Sequence, residues 1–170
     1  MIEFKKPREV AQESGIKCLI YGNPGSGKTL LCTTTGEKTL LVSAEAGLLS
    51  IRNTKADLDV FEIQTFDQLG EIYQHLQGGT DYQWICLDSI SEVAEVLLAS
   101  EMKESNHALR AYGEMATKVI NMVRAFRDLP GYDVVFTAKQ EKTQDDTGRL
   151  LFGPSTPGAK TAAALPYYVC

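Results

Sequence analysis

Short apolar runs alternate along this chain with stretches in which apolar residues recur at helical spacing. The runs are residues 17–22 (KCLIYG), 39–44 (TLLVSA), 59–63 (DVFEI), 83–87 (QWICL) and 134–138 (VVFTA). Each is too short for a stable helix and is bounded by turn or charged residues, so each reads as a strand. Phe66, Leu69, Tyr73 and Leu76 share one helical face, and Met115, Val119, Met122 and Phe126 share another. Thr65 with Gln68 forms a capping-box pattern at the start of the first of these helices, and Gly78-Gly79 stops it. Further helices are predicted over 27–34, 91–103 and 110–129, the last closed by Pro130-Gly131. Strands and helices in alternation predict an α/β fold with a mainly parallel sheet.

The pattern changes after residue 139. Residues 140–158 are polar, rich in Asp, Gly and Pro, and carry only a brief Leu150-Leu151-Phe152 run. This stretch is expected to be a long mobile loop, since loops of that length inside a domain are usually functional or mobile. A short helix over 160–165 and a last strand over 167–169 are expected to follow. There is no repeat and no linker, so residues 1–170 are expected to form one domain, with 1–15 as an N-terminal extension.

Composition narrows the class. The chain has 170 residues, 44% of them hydrophobic and 23% charged, enough for a sizeable core without a disulfide or metal staple. The net charge of -5 excludes a strongly basic nucleic-acid coat but not a local basic groove. Cys18, Cys32, Cys86 and Cys170 show no metal-ligand spacing and read as reduced thiols, those at 18 and 86 inside strand runs. No apolar run is long enough to cross a bilayer, and the charged first ten residues lack the apolar core of a signal peptide. A cytoplasmic location without membrane contact is the expectation.

The strongest chemical signal is Gly22-Asn23-Pro24-Gly25-Ser26-Gly27-Lys28-Thr29, which fits G-x-x-x-x-G-K-[ST] at every fixed position. The glycines let successive backbone N–H groups turn inward onto an anion, and a helix N-terminus adds partial positive charge. Lys28 supplies a full charge for the β- and γ-phosphates, and Thr29 offers a hydroxyl to Mg²⁺. Leu30, in the turn that follows, completes the nucleotide-contacting set. The motif sits between a strand run and a helix pattern, the context it needs. ATP and Mg²⁺ are therefore the expected ligands. Asp88, which closes the Trp84-Ile85-Cys86-Leu87 run, is the candidate second metal-side residue; the alternative is an ordinary helix N-cap, which Asp88, Ser89 and Ser91 all suit. Glu45, just past the 39–44 run, lies where a parallel sheet places its ligand and is the candidate to orient the attacking water; the alternative is a solvated residue or cap.

Several phosphate-loop classes fit poorly. Ring ATPases that place Glu directly after the strand-ending Asp would need one at position 89, which is Ser89. Lys139-Gln140-Glu141 lacks the N-K-x-D guanine reader of GTPases, and the 140–158 stretch holds only Arg149 where a small-molecule kinase would carry an arginine-rich lid.

From about residue 17 to 170 the motif order resembles the RecA-type ATPase core, and most closely the phage RecA-like ATPases of single-strand annealing and recombination. GNPGSGKT is similar to the family's phosphate loop, VSAEAGL to the strand end bearing its catalytic glutamate, here Glu45, and WICLDSISE to its metal-side strand. VVFTAKQEK resembles the strand ending in a polar sensor, for which Ala138, Lys139 and Gln140 compete, with Gln140 taken as the sensor. FGPSTPGAKTAAALPYYV resembles the second DNA-binding loop, its helix and the next strand. The resemblance implies a three-layer RecA-like sandwich in which the 134–138 strand lies between the phosphate-loop strand and the Asp88 strand. It implies ATP hydrolysis with Lys28, Glu45 and Gln140 in catalytic roles.

It also implies a homo-oligomer acting on single-stranded DNA, in the host cytoplasm if phage-encoded, with a single-strand-binding or recombination protein as partner. Lys142, Arg149, Phe152, Lys160 and Arg110 are the candidate DNA contacts, against the alternative of solvated loop and helix residues. The rival functional readings are a non-hydrolysing nucleotide-binding module that stabilises an assembly and a small-molecule kinase.

Overall fold

Apolar runs that are buried on both faces form the middle of a six-stranded sheet in the computed structural model, which describes residues 15–45, 48–105 and 107–169. The strands are β1 (Lys17–Gly22), β2 (Thr39–Ser43), β3 (Leu58–Glu62), β4 (Trp84–Asp88), β5 (Asp133–Gln144) and β6 (Leu150–Ser155). Five run parallel in the order β1-β5-β4-β2-β3, and β6 pairs antiparallel with the far half of β5. The first half of β5 thus lies between β1 and β4, as the resemblance implies, with Leu19 opposite Phe136 and Ile85 opposite Val134. β2 is buried throughout, and β4 from Ile85 onward, which matches their near-continuous apolar sequence.

The helices are α1 (Lys28–Leu31), α2 (Asp67–Gln77), α3 (Ile90–Glu104), α4 (Ala108–Arg127) and α5 (Ala159–Val169), with one 3₁₀ turn at Leu48–Ile51. Strand alternation divides the core in two. Leu40, Val42, Ile85, Leu87, Val134 and Phe136 face α2 to α5 in the larger cluster. Leu41, Cys86 and Val135 face the other way, against Cys32 beside α1 and Ile51 of the 3₁₀ turn. The sandwich is therefore lopsided among the described residues: four helices on one face, one turn of α-helix and one of 3₁₀ on the other.

The stripe over Met115, Val119, Met122 and Phe126 is fully used, all four side chains being buried. Phe126 meets Tyr73 edge-on, with ring centroids 5.6 Å apart. Cys18, Cys32 and Cys86 are in no disulfide among the described residues. The Cys86 thiol is pushed far above its ordinary value by its hydrogen bond with Cys32 and then by burial, so it stays protonated and structural.

Four expectations are corrected. Residues 140–158 are not a long loop: β5 continues to Gln144, β6 returns from Leu150, and a tight turn joins them. The Asp145 carboxylate accepts from Thr147 N, Thr147 Oγ1 and Arg149 N, and Gly148 takes φ 83°, so the turn chemistry was written in Asp145-Asp146-Thr147-Gly148. Residues 167–169 are the end of α5 rather than a strand, because Thr161, Ala162, Leu165 and Val169 bury one helical face. The helix after the phosphate loop stops at Leu31; Thr33 and Thr34 bond their hydroxyls to Leu30 O and Leu31 O at 2.8 Å each, competing with the helical ladder. The capping box is half made: the Gln68 side chain accepts from Thr65 N at 3.2 Å, but α2 begins at Asp67 with Phe66 as its cap. The expected N-terminal extension lies outside the described residues except for Gly15.

Phe126→Ala should cost about 3–5 kcal/mol, as buried aromatic truncations do. Leu109→Ala, at a position 88% exposed on the same helix, should stay within about 0.5 kcal/mol. Urea midpoints of the two variants check this; equal midpoints would contradict the assignment of the α4 face.

Candidate functional site

The carboxyl ends of β1, β2, β4 and β5 converge on one cleft of about 710 Å³, lined by the phosphate loop, Glu45, Ser50, Glu92 and Lys139. β1 hands the chain to the loop at Gly22. A Cβ there would lie 2.6 Å from Ser26 Oγ, which would have to rotate away to admit it. Gly25 and Gly27 adopt φ 75° and 89°, which L side chains resist, and open space surrounds both. The constraint at these two positions is the backbone turn that points N–H groups inward. Pro24, Gly25, Gly27, Lys28, Thr29 and Leu30 line the cleft.

Lys28 Nζ donates to Gly22 O at 3.0 Å and Asn23 O at 3.2 Å. Its described partners are neutral carbonyls, so its charge is available to an anion in the cleft. Thr29 Oγ1 donates to Asp88 Oδ2 at 2.6 Å, and Thr137 Oγ1 donates to Asp88 Oδ1. Asp88 is 1% exposed, and its described partners are two hydroxyls without a cation. A buried carboxylate in that setting suits a divalent ion. The described residues hold no group of three or more His, Cys, Asp or Glu that would cage a metal alone. Mg²⁺ typically takes one or two protein oxygens and completes its shell with phosphates and water. Thr29 and Asp88 are the residues that would hold it.

Ser89, and not Asp88, caps α3, accepting from Glu92 N at 3.4 Å. Its hydroxyl also donates to Glu45 Oε1 at 2.9 Å. The serine that follows Asp88 therefore bonds a glutamate just past the end of the neighbouring strand β2. Glu45 is half-buried and lines the cleft together with Lys28 and Thr29.

Gln140 does not line the cleft. Strand alternation puts Thr137 and Lys139 on the Asp88 side of β5, whereas Gln140 sits on the opposite side and pairs with Pro154. The cleft position belongs to Lys139. Its Nζ donates to Glu92 Oε2 at 2.7 Å and Glu95 Oε1 at 2.8 Å, and these hydrogen bonds hold its pKa well above the ordinary lysine value. Thr137, Ser89 and Glu92 were missed as site residues. The signal for Thr137 and Lys139 was present in the alternation of VVFTAK, two residues apart on one strand face.

The candidate DNA contacts lie outside the cleft. Lys142 on β5 stands opposite Phe152 on β6, Phe152 is 54% exposed, and Arg149 closes the turn of the same hairpin. Arg110 is exposed at the start of α4, within 4.0 Å of Glu114, and Lys160 is exposed at the start of α5. Tyr112 of α4 approaches Gly158 just before α5, so the two helix starts are neighbours.

A parallel sheet, a phosphate loop at the end of its first strand and a buried Thr–Asp pair define a P-loop nucleotide-binding protein. A family model described as an AAA domain matches residues 14–169, and the chain belongs to that family of P-loop, AAA-type ATPases. No curated protein matches the chain. Membership points to nucleotide binding and ATPase activity, usually with Mg²⁺.

Ser89→Ala removes a hydroxyl that orients Glu45 but touches no phosphate-loop atom. Turnover of ATP should fall about tenfold, the usual worth of a hydrogen bond to a charged group, while ATP affinity stays within about twofold. Steady-state kinetics with a parallel binding titration check this; a loss confined to affinity would contradict it.

Proposed function

We propose that the protein is a RecA-like ATPase, a single domain over residues 1–170, that hydrolyses ATP with Mg²⁺ and acts on single-stranded DNA in phage recombination or annealing. The observation that supports the hydrolytic part is the position of Glu45, bonded by Ser89 and lining the same cleft as Lys28 and Thr29. In the reaction a water oxygen attacks the γ-phosphorus and the bond to the β–γ bridging oxygen breaks. ADP leaves with the electron pair, and Glu45 orients the water and takes its proton. Lys28 and the loop amides stabilise the charge that spreads over the phosphate oxygens, a mainly electrostatic contribution. Mg²⁺, when bound, supplies neutralisation of the β- and γ-phosphate oxygens.

The DNA part is supported by the β5–β6 hairpin. Phe152 offers an exposed ring for base stacking beside Lys142, with Arg149 at the turn, the combination that single-strand binding uses. Arg110 and Lys160 add positive charge at neighbouring helix starts. Asp145 and Asp146 oppose that charge, so a continuous groove on this reading needs several copies side by side, as a homo-oligomer supplies. A single-strand-binding or recombination protein is the partner class this role requires, in the host cytoplasm. No described helix is long and apolar enough to cross a membrane.

ATP hydrolysis with and without an oligothymidylate tests the whole reading. Lys28→Ala should lower turnover roughly a hundredfold or more, the scale for losing a transition-state charge partner. Wild-type turnover in that variant would sink the assignment. Stimulation by the oligonucleotide is expected, and Phe152→Ala should weaken oligonucleotide binding by about 1–3 kcal/mol. Tight ATP binding with no turnover in either condition would replace the ATPase by a nucleotide-binding module.

A further inference from the structure

Three cavities follow one another along the seam between α2 and α4, on the thickly helical face. The first, about 380 Å³, lies at the C-terminal ends of both helices, beside Leu76, Leu129 and Tyr132. The second, about 290 Å³, begins one turn back on each helix, at Tyr73 and Phe126, and is largely apolar. The third, about 450 Å³, shares Phe66 and Lys118 with the second and opens onto Asp67, Glu101 and Glu104. Gly70 stands in the middle of α2 on the wall of the second cavity. Glycine inside a helix costs stability relative to alanine. No described atom lies within 4 Å of where a Cβ on Gly70 would stand. Crowding therefore does not require glycine there, and its missing side chain keeps the slot open.

Charge along the seam is uneven. Glu101, Glu104 and Glu114 surround Lys118, and Asp67 adds a further carboxylate at the third cavity. An apolar slot beside an acidic end suits a segment that carries a large apolar side chain next to basic ones. Such a segment starts at the other end of the seam. A Cβ on Gly15 would lie 2.6 Å from Tyr132 O, and the Tyr132 hydroxyl bonds Leu76 O of α2. Gly15 therefore stands against a residue that lines the first cavity. In the sequence before it, Phe4 is followed directly by Lys5 and Lys6. Phe4 lies eleven positions before Gly15, which extended chain spans with up to about 36 Å. The nine positions of α4 from Lys118 to Arg127 rise only about 14 Å. The segment is long enough to reach the slot and the acidic end beyond it.

We propose that the seam between α2 and α4 is the docking groove for the chain's own residues 1–14. Phe4 seats in the slot beside Gly70, and Lys5 and Lys6 turn toward Asp67, Glu104 and Glu114. The occupant comes from the same molecule, because Gly15 already stands at the mouth of the groove. Docking ties α2 to α4 beyond the single contact of Tyr73 with Phe126.

Tryptic cutting of the full chain after Arg8, followed by mass spectrometry, tests this. The wild-type chain should be cut at least about tenfold more slowly than a synthetic peptide of residues 1–14, because docked chain must leave the groove before it is cleaved. Phe4→Ala and Gly70→Leu should each speed the cut by roughly tenfold. The double variant should be cut no faster than either alone, since both changes empty the same slot. Phe4→Ala alters no residue of the helices, so it carries the test even if Gly70→Leu disturbs α2. Cutting of the wild-type chain at the peptide's rate, or equal rates in the wild type and both variants, would overturn the docking. Protection that rises with protein concentration would give the groove to a second copy's segment and overturn it as well.

Discussion

The buried Asp88 carboxylate is the interaction on which the site depends. It accepts from Thr29 at the start of α1 and from Thr137 on β5, so one side chain ties the phosphate loop, β4 and β5 together. A carboxylate 1% exposed with only hydroxyl partners is costly to hold. A simple structural tie between these elements would be cheaper as an apolar contact of the same volume. Its retention makes sense where a divalent ion and phosphates complete the charge balance, and Thr29, next to Lys28, would share that ion. The geometry of the loop and the electrostatics of the metal side are thus one arrangement.

The lopsided sandwich serves the same arrangement. Thick helical packing on one face, built from Leu69, Ile72, Leu97, Val119 and Phe126, anchors the sheet. Among the described residues the other face carries α1 and the 3₁₀ turn over Leu41, Cys86 and Val135. Asp88 and Thr137 are bonded to each other on the sheet face that carries Cys86 and Val135. The thickly packed half of the molecule fixes the strand ends that line the cleft.

Much of this was legible in the residue order, for physical reasons that differ by element. The phosphate loop was readable because its glycines, lysine and threonine have few other reasons to share that spacing. β2, β4 and the first half of β5 were readable because burial on both faces leaves continuous apolar runs. Glu45 and Asp88 were placed by the rule that ligands lie at the carboxyl ends of parallel strands. The hairpin was missed because its strands carry polar and exposed residues, so no apolar alternation marked them; only Asp145 and Gly148 signalled the turn. Lys139 was passed over for Gln140 because a one-residue shift in a strand reverses its face, and only the pairing with β1 and β6 fixes that register. Ser89 was read by what it lacked, a carboxylate, although its hydroxyl acts on Glu45 from the adjacent strand.

The cleft and the hairpin are mechanically one object. β5 runs unbroken from Asp133 to Gln144, with Lys139 at the cleft and Lys142 opposite Phe152 only three residues on. A single serine reinforces this continuity: Ser91 Oγ accepts from Lys139 N at 2.8 Å and donates to Ser155 O at 2.5 Å. The start of α3 is therefore bonded to β5 at the cleft and to the last residue of β6. Ser89, two residues earlier, holds Glu45. Displacement of β5 at Lys139 would move the hairpin as a lever unless Ser91 released one of its two partners. The cleft and the hairpin are thus joined within two hydrogen bonds of one hydroxyl.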